Sequence, residues 1–241
     1  MTSTQYDETI FSPLMIHGIS VPISKSDVSP IIWESIVSGQ YEAKEVRSVR
    51  TLLRPGDRVL ELGSGLGIIT TVMAQTPDVQ IWSFDANPHV INLARKTAEV
   101  NGVQNTKFEH GLLTASEATD HTFYIRQDFW MSSLLESQGP YETTISITSS
   151  NIDEFISEKA VNVLVMDIEG AERELLSAAC LNGVDRVFLE LHDHLYGLSG
   201  VRNIFVAMDK LGFSYDPRGS VGPCVLFQRD DGQIRSYFSS E

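Results

Sequence analysis

Three alternate glycines, Gly63, Gly65 and Gly67, stand in the run Glu61-Leu62-Gly63-Ser64-Gly65-Leu66-Gly67. Placed between a strand and a helix, such a loop lets a ligand come closer to the backbone than a Cβ allows, and it lets the chain adopt positive φ. Asp85 follows 18 positions after Gly67. At the tip of a second strand, its two carboxylate oxygens can accept hydrogen bonds from both hydroxyls of a ribose. Loop and acid together point to a ligand that carries adenosine. A dinucleotide loop of the form G-x-G-x-x-G would need its third glycine at position 68, which is Ile68. Nicotinamide chemistry is therefore disfavoured.

A second group of reactive side chains lies downstream. Asp167 and Glu169 close the run VNVLVMD-I-E, and Gly170 lets the chain turn tightly into the next helix. Two carboxylates beside a ligand can act as a base, orient an acceptor or hold a divalent ion. Glu169 also has a plainer role, as a negative charge near a helix N-terminus, favoured by about 0.3–1 kcal/mol. Glu190, His192 and His194 follow at i, i+2 and i+4. They share one face if their strand continues, and an acid with two imidazoles has metal-ligand character. That spacing alone does not define a metal site, and none is assigned.

The elements that must hold these residues alternate. After Ser29-Pro30 the helical spacing of Ile32, Ile36, Val46, Val49 and Leu53 is divided by Gly39 into two helices, and Arg54-Pro55-Gly56-Asp57 is a turn. RVLELG, VQIWSFD and TKFEHG read as strands, separated by the helices IITTVMAQ and Pro88 to Val100. Residues 112–148 break the rhythm: TFYIRQDFW and ETTISITSS alternate apolar and polar residues around Gly139-Pro140, as an antiparallel insertion does. Alternation returns with a helix near 151–158, the strand VNVLVMD, a helix over 171–181, the strand RVFLELH and a helix over 201–211. GFSYD and PCVLFQR close the chain as an antiparallel pair. The expected architecture is α/β: a doubly wound, Rossmann-like, mostly parallel sheet with a terminal antiparallel strand pair and an inserted β-hairpin. Residues 1–50 form an N-terminal extension and small helical cap, and residues 51–241 the main domain.

Thirty-two acidic against 18 basic residues give a net charge of −14. Such a chain repels phosphate backbones and anionic bilayers, and it has no basic run, so neither nucleic acid nor membrane is an expected partner. No stretch reaches the roughly 18 apolar residues of a membrane span, and MTSTQYDETI lacks the order of a secretion signal. A cytoplasmic location is the expectation. Cys180 and Cys224 sit in apolar or small-residue surroundings and read as reduced core thiols. Trp33 and Trp82 read as core.

The E-x-G-x-G-x-G spacing resembles the first motif of class I methyltransferases, which bind S-adenosylmethionine (SAM). Over roughly residues 30–215 the chain more narrowly resembles the FkbM family of SAM-dependent methyltransferases. The matching pieces are GQYEAKE at 39–45, RPGDRVLELGSGLG at 54–67, FDANP at 84–88, NIDEF at 151–155, VMDIEGAERELL at 165–176 and LELH at 189–192. The DIEGAE stretch is the most specific of these. Glu61 stands where many members have Asp, and FDANP replaces an acid-Pro pair. Both departures keep the charge that matters.

The resemblance implies transfer of the SAM methyl group, usually to a hydroxyl of a sugar, polyketide or other small metabolite. It implies cofactor contacts at Glu42, Glu61, Gly63, Gly65, Gly67, Asp85, Ala86, His110 and Asp167. Glu61 would face the methionine end, Tyr41-Glu42 would border the pocket, and His110 would lie by the adenine pocket or acceptor mouth. Catalytic work would fall to Asp167, Glu169 and His192, with a divalent metal allowed but not required. Asp128 to Ser133, in the insertion, would reach over the acceptor, where Phe129 and Trp130 either stack on it or pack the hairpin. The rival reading is a non-catalytic SAM-binding subunit that regulates a partner. Oligomeric state stays open.

Overall fold

The computed structural model describes residues 13–232 and 234–236. Expectations for the first twelve residues lie outside the described residues. A short antiparallel hairpin, β1 (Leu14–Ile16) and β2 (Ile19–Val21), precedes two helices, α1 (Pro30–Val37) and α2 (Ala43–Leu52). Ser29 caps α1 by accepting from the Ile32 amide, and Pro30 follows at the first helical position. The hairpin was not legible in the sequence. The break between the helices was.

The alternating segments follow as β3 (Arg58–Leu62), α3 (Ile68–Met73), β4 (Gln80–Asp85), α4 (Pro88–Val100) and β5 (Thr106–His110). Next come the inserted strands β6 (Leu112–Thr114), β7 (Asp120–Ile125) and β8 (Thr143–Asn151). The chain ends with α5 (Ile152–Lys159), β9 (Val163–Met166), α6 (Glu172–Ala178), β10 (Arg186–Glu190), α7 (Asp193–Lys210), β11 (Phe213–Val221) and β12 (Cys224–Arg229). Asn87 and Asn151 cap α4 and α5, each side-chain oxygen accepting two backbone amides.

Seven strands form the central sheet in the order β11-β12-β10-β9-β3-β4-β5. β5, β4, β3, β9 and β10 are mutually parallel, while β12 runs antiparallel to both β10 and β11. The expected mostly parallel sheet with its terminal antiparallel pair is what forms. Both faces are buried, because neighbouring residues of one strand point into different cores. Val59 of β3 joins Val163, Ile81 and the α1–α4 side, whereas Leu60 joins Leu164, Val187 and the α5–α7 side. Each fully buried aliphatic side chain of this kind contributes about 1.5–3 kcal/mol.

One buried ion pair ties the sheet's lower edge together. Arg186 of β10 grips Asp57 at 2.6 and 3.0 Å and also donates to the Leu52 carbonyl at 2.7 Å. The turn at Asp57 thus locks onto a strand 129 positions away.

Several expectations need correction. The insertion is a three-stranded sheet, not a hairpin: β7 and β8 pair antiparallel as expected, but β6 adds in parallel to β8. Asp128-Phe129-Trp130 does not extend β7, because a 3-10 turn forms over Phe129–Met131. The strand carrying Glu190 stops there, so His194 belongs to α7 and the three-residue face does not form. That helix begins eight residues earlier than expected because it is kinked at Gly197, where the backbone leaves helical values. Cys224 is buried as anticipated, whereas Cys180 is exposed; both are free thiols. Trp82 is in the core on the α5–α7 side, and Trp33 packs partly buried against the core on the α1–α4 side.

Candidate active site

The chain leaves β3 outward through β4 and β5, then returns to place β9 on the other side of β3. This reversal opens a crevice at the carboxyl ends of β3 and β9, where open α/β sheets take their ligands. The glycine loop follows β3 there, and Asp167 follows β9.

Gly63 and Gly65 are forced by contact as well as by φ. A Cβ on Gly63, at φ +88°, would sit 1.9 Å from the Asp167 carbonyl oxygen. One on Gly65, at φ +49°, would meet Glu42 Oε1 at 3.0 Å and the Tyr41 hydroxyl at 3.2 Å. Gly67 serves a different end: its missing Cβ makes room for the backbone of Ala94 in α4, 2.8 Å away, and it does not line the crevice.

Asp85 closes β4 and lines the crevice together with Ala86. Its Oδ2 accepts weakly from the Gly65 amide at 3.3 Å and the Ser64 hydroxyl at 3.4 Å, while Oδ1 takes the Asn87 amide at 2.8 Å. Burial pushes its pKa up to about 6, against the pull of these donors. His110 is exposed, donates from its ring Nε2 to the Ala86 carbonyl at 3.0 Å, and is not itself a lining residue. Its place is behind Ala86.

Glu61 lies beneath the loop, 1% exposed and outside the crevice lining. Its Oε2 accepts from Thr70 and Ser83 hydroxyls, each at 2.5 Å, and Oε1 has no partner among the described residues. Burial raises its pKa to about 7. Glu42 does line the crevice, from a left-handed backbone position at φ 53°. Desolvation, then Glu45 and Asp167, raise its carboxyl well above the usual range, and its Oε2 also lacks a partner.

On the β9 side, Asp167 projects into the crevice with 45% of its side chain exposed. Glu169 sits beside it at φ 48°, taking the Gln138 amide of the insertion at 3.2 Å. His192 is 4% exposed, and its Nε2 faces Asp167 Oδ1 at 3.3 Å and Glu169 Oε1 at 3.5 Å. Its Nδ1 lies 2.9 Å from Glu172 Oε1, on a carboxylate with no exposed surface. Burial alone would lower the imidazole's pKa, but hydrogen bonds to Asp167, Glu169 and Glu172 hold it well above its ordinary value. An imidazolium locked among three acids is a fixed positive charge, ill suited to collecting a proton.

Glu190 is pushed up to about 8, by burial first and then by Asp167 and Glu45. Ligand-type atoms of Asp167, Glu190 and His192 lie within 4.8 Å of one another, as do those of Glu45, Glu190 and Cys224. Either set has the donors a divalent ion uses. The Cys224 thiol is meanwhile engaged with Glu45 Oε1 at 2.9 Å.

The crevice widens into a cavity of about 440 Å³ that runs beneath the insertion. Phe129, Trp130, Leu134 and Leu135 line its roof, and Trp130 stacks on Tyr41 with ring centroids 6.1 Å apart and planes 13° from parallel. The roof is pinned by Arg126, 4% exposed, whose guanidinium donates to the carbonyls of Tyr124, Met131, Leu135, Glu136 and Gly139. Sequence reasoning missed Arg126, Gln138 and Glu172, since each acts on a partner that only folding brings near. The one available signal was an arginine in an otherwise acidic insertion.

The residues present fit a SAM cofactor: two glycines leave backbone bare, Asp85 stands where a ribose needs acceptors, and Glu42 offers an unpaired buried oxygen to a cationic end.

Residues 53–132 match the model of a methyltransferase domain. A ribosomal protein L11 methyltransferase from Chloroflexus aurantiacus is 34% identical over 71 residues, 29% of this chain and 22% of that protein. The chain thus matches about a fifth of the length of its curated relative. Among solved structures, Trm5b from Pyrococcus abyssi superposes with a TM-score of 0.51 at 15% identity, over 92% of this chain and 56% of that one. A precorrin-6y C5,15-methyltransferase from Geobacter metallireducens gives 0.49 at 9% identity, over 78% and 89%. Glycine loop, strand-end acid and sheet order agree with this match, and residues 53–132, a third of the chain, resemble a methyltransferase domain of the class I kind, whose cofactor is S-adenosylmethionine.

Proposed function

We propose that the protein methylates a hydroxyl of a small acceptor, in the manner of the FkbM family. The observation that carries this reading is the roofed cavity, shared by the cofactor crevice and the insertion, with Asp167 exposed between them. SAM, when bound, supplies an electrophilic methyl group whose transfer leaves a neutral thioether. The protein's part is then mostly alignment, which is where an in-line displacement gains most.

In this reading Gly63, Gly65, Asp85, Ala86 and Glu42 hold the cofactor, and Gly67, Glu61 and His110 keep the surrounding backbone and charges in place. Asp167 accepts the acceptor hydroxyl's hydrogen bond, orients its oxygen and takes the proton it loses as the oxygen bonds to the methyl carbon; Glu169, fixed by Gln138, assists. His192 is a positioning residue, because its Nε2 faces both carboxylates and holds them in place. Residues 1–50 and the insertion act as the cap, and residues 51–241 as the transferase domain. No helix among the described residues is long and apolar enough to cross a membrane.

Incubation with methyl-labelled SAM and a fractionated metabolite extract tests the proposal. Label should enter a small acceptor, and Asp167→Asn should abolish the transfer while cofactor binding survives. Cofactor binding without transfer to any fraction would favour the non-catalytic alternative.

A further inference from the structure

The cavity extends past the cofactor crevice into an arm between the inserted sheet and α6. Leu113 of β6, Phe123 of β7 and Leu175 of α6 face it, each 5–7% exposed, with Ile168 and the rim residue Leu135 beside them. Its charged lining consists of Glu42, Asp85, Asp167, Glu169 and Glu174, all acids. No Lys or Arg is among the described residues that line the cavity. The arginine that comes nearest in the insertion, Arg126, spends its guanidinium on the carbonyls that shape the roof. Anionic acceptors would therefore meet an acidic wall whose neighbouring imidazole, His192, is already held by Asp167, Glu169 and Glu172, a costly arrangement in a desolvated site. The arm's aliphatic and aromatic surface instead rewards burial of an apolar body, with Thr114, Ser116 and His121 as uncharged or imidazole polar edges beside it.

We infer that the acceptor is an uncharged, largely apolar alcohol or phenol taken whole beneath the insertion, and that phosphorylated acceptors are rejected. This rests on the methyltransferase reading above and adds the chemistry of the acceptor to it. His121, the one imidazole in the lining, is engaged with the Ser149 hydroxyl at 3.2 Å.

The test compares 2-naphthol with 2-naphthyl phosphate, titrated against the full chain and followed by tryptophan fluorescence, with and without S-adenosylhomocysteine. Naphthol should bind at least tenfold tighter than its phosphate. Leu135→Arg places a cation at an exposed rim position, and should strengthen phosphate binding at least tenfold while S-adenosylhomocysteine binds as before; Leu134→Arg repeats the experiment if the first variant does not fold. Equal or tighter binding of the phosphate by the unaltered protein would overturn the inference, as would no naphthol binding by protein that takes up S-adenosylhomocysteine. Failure to bind S-adenosylhomocysteine would instead count against the cofactor assignment, because the bare protein reports the arm's preference independently.

Discussion

Glu172 and His192 form a hydrogen-bonded pair at 2.9 Å in which one partner is wholly buried and the other 96% so, although 20 positions of chain separate them. The pair fixes which nitrogen of the ring faces Asp167 and Glu169. Because folding raises the imidazole's pKa from an ordinary 6.5, its stabilisation is complete below about pH 6.5 and is lost progressively as pH rises toward the folded value. Glu172→Gln should cost about 1.5–3 kcal/mol and flatten the fall of Tm between pH 6.5 and 9. Parallel Tm profiles for the variant and the parent would show that this proton is not linked to folding.

The glycines separate stability from binding. Gly63→Ala places a Cβ against the Asp167 backbone, so the β3–β9 crossover must open, and Tm should drop steeply. Gly65→Arg meets side-chain ends instead, those of Glu42 and Tyr41. It should leave most of the fold intact by circular dichroism and remove cofactor binding by calorimetry. Normal SAM titration in the arginine variant would defeat the placement of the cofactor.

Asp85 gives the site a pH dependence. With its carboxyl raised to about 6 by burial, the oxygens proposed to hold the ribose are progressively protonated as pH falls below that value. S-Adenosylhomocysteine affinity should hold steady from pH 7 to 8 and weaken toward tenfold per unit below pH 6. Asp85→Asn should weaken binding by about 1–3 kcal/mol at pH 7.5 and erase the acid limb. A variant that keeps the limb would assign it to another group.

Arg126 holds the roof over the acceptor arm through five carbonyls. Arg126→Met removes the guanidinium from all five, of which Tyr124 and Leu135 keep a backbone amide each, from Ser133 and Gln138. Limited proteolysis should then cut between residues 128 and 140 in the variant before the parent, and the acceptor KM should rise several-fold with cofactor affinity unchanged. An unaltered digestion pattern would mean that the roof is held by other contacts.

Local pattern carried the sheet and the cofactor loop. Strand and helix segments on either side of Gly63–Gly67 differ in hydrophobic periodicity, and bare backbone at a strand-to-helix turn has a narrow range of uses, so fold class and cofactor were readable before any coordinates. The reactive acids were also readable by type, with Asp167, Glu169 and Asp85 all at strand ends. What each one does was not. His192 looks like a base in one dimension, and only the approach of Glu172, Asp167 and Glu169 from three places in the chain turns it into a fixed charge. The third inserted strand, Arg126's grip on the roof and the acidic arm likewise depend on contacts between residues far apart in sequence. Such contacts leave no periodic trace, because each is set by where the folded backbone brings one side chain against another, and that is decided only when the whole sheet closes its core.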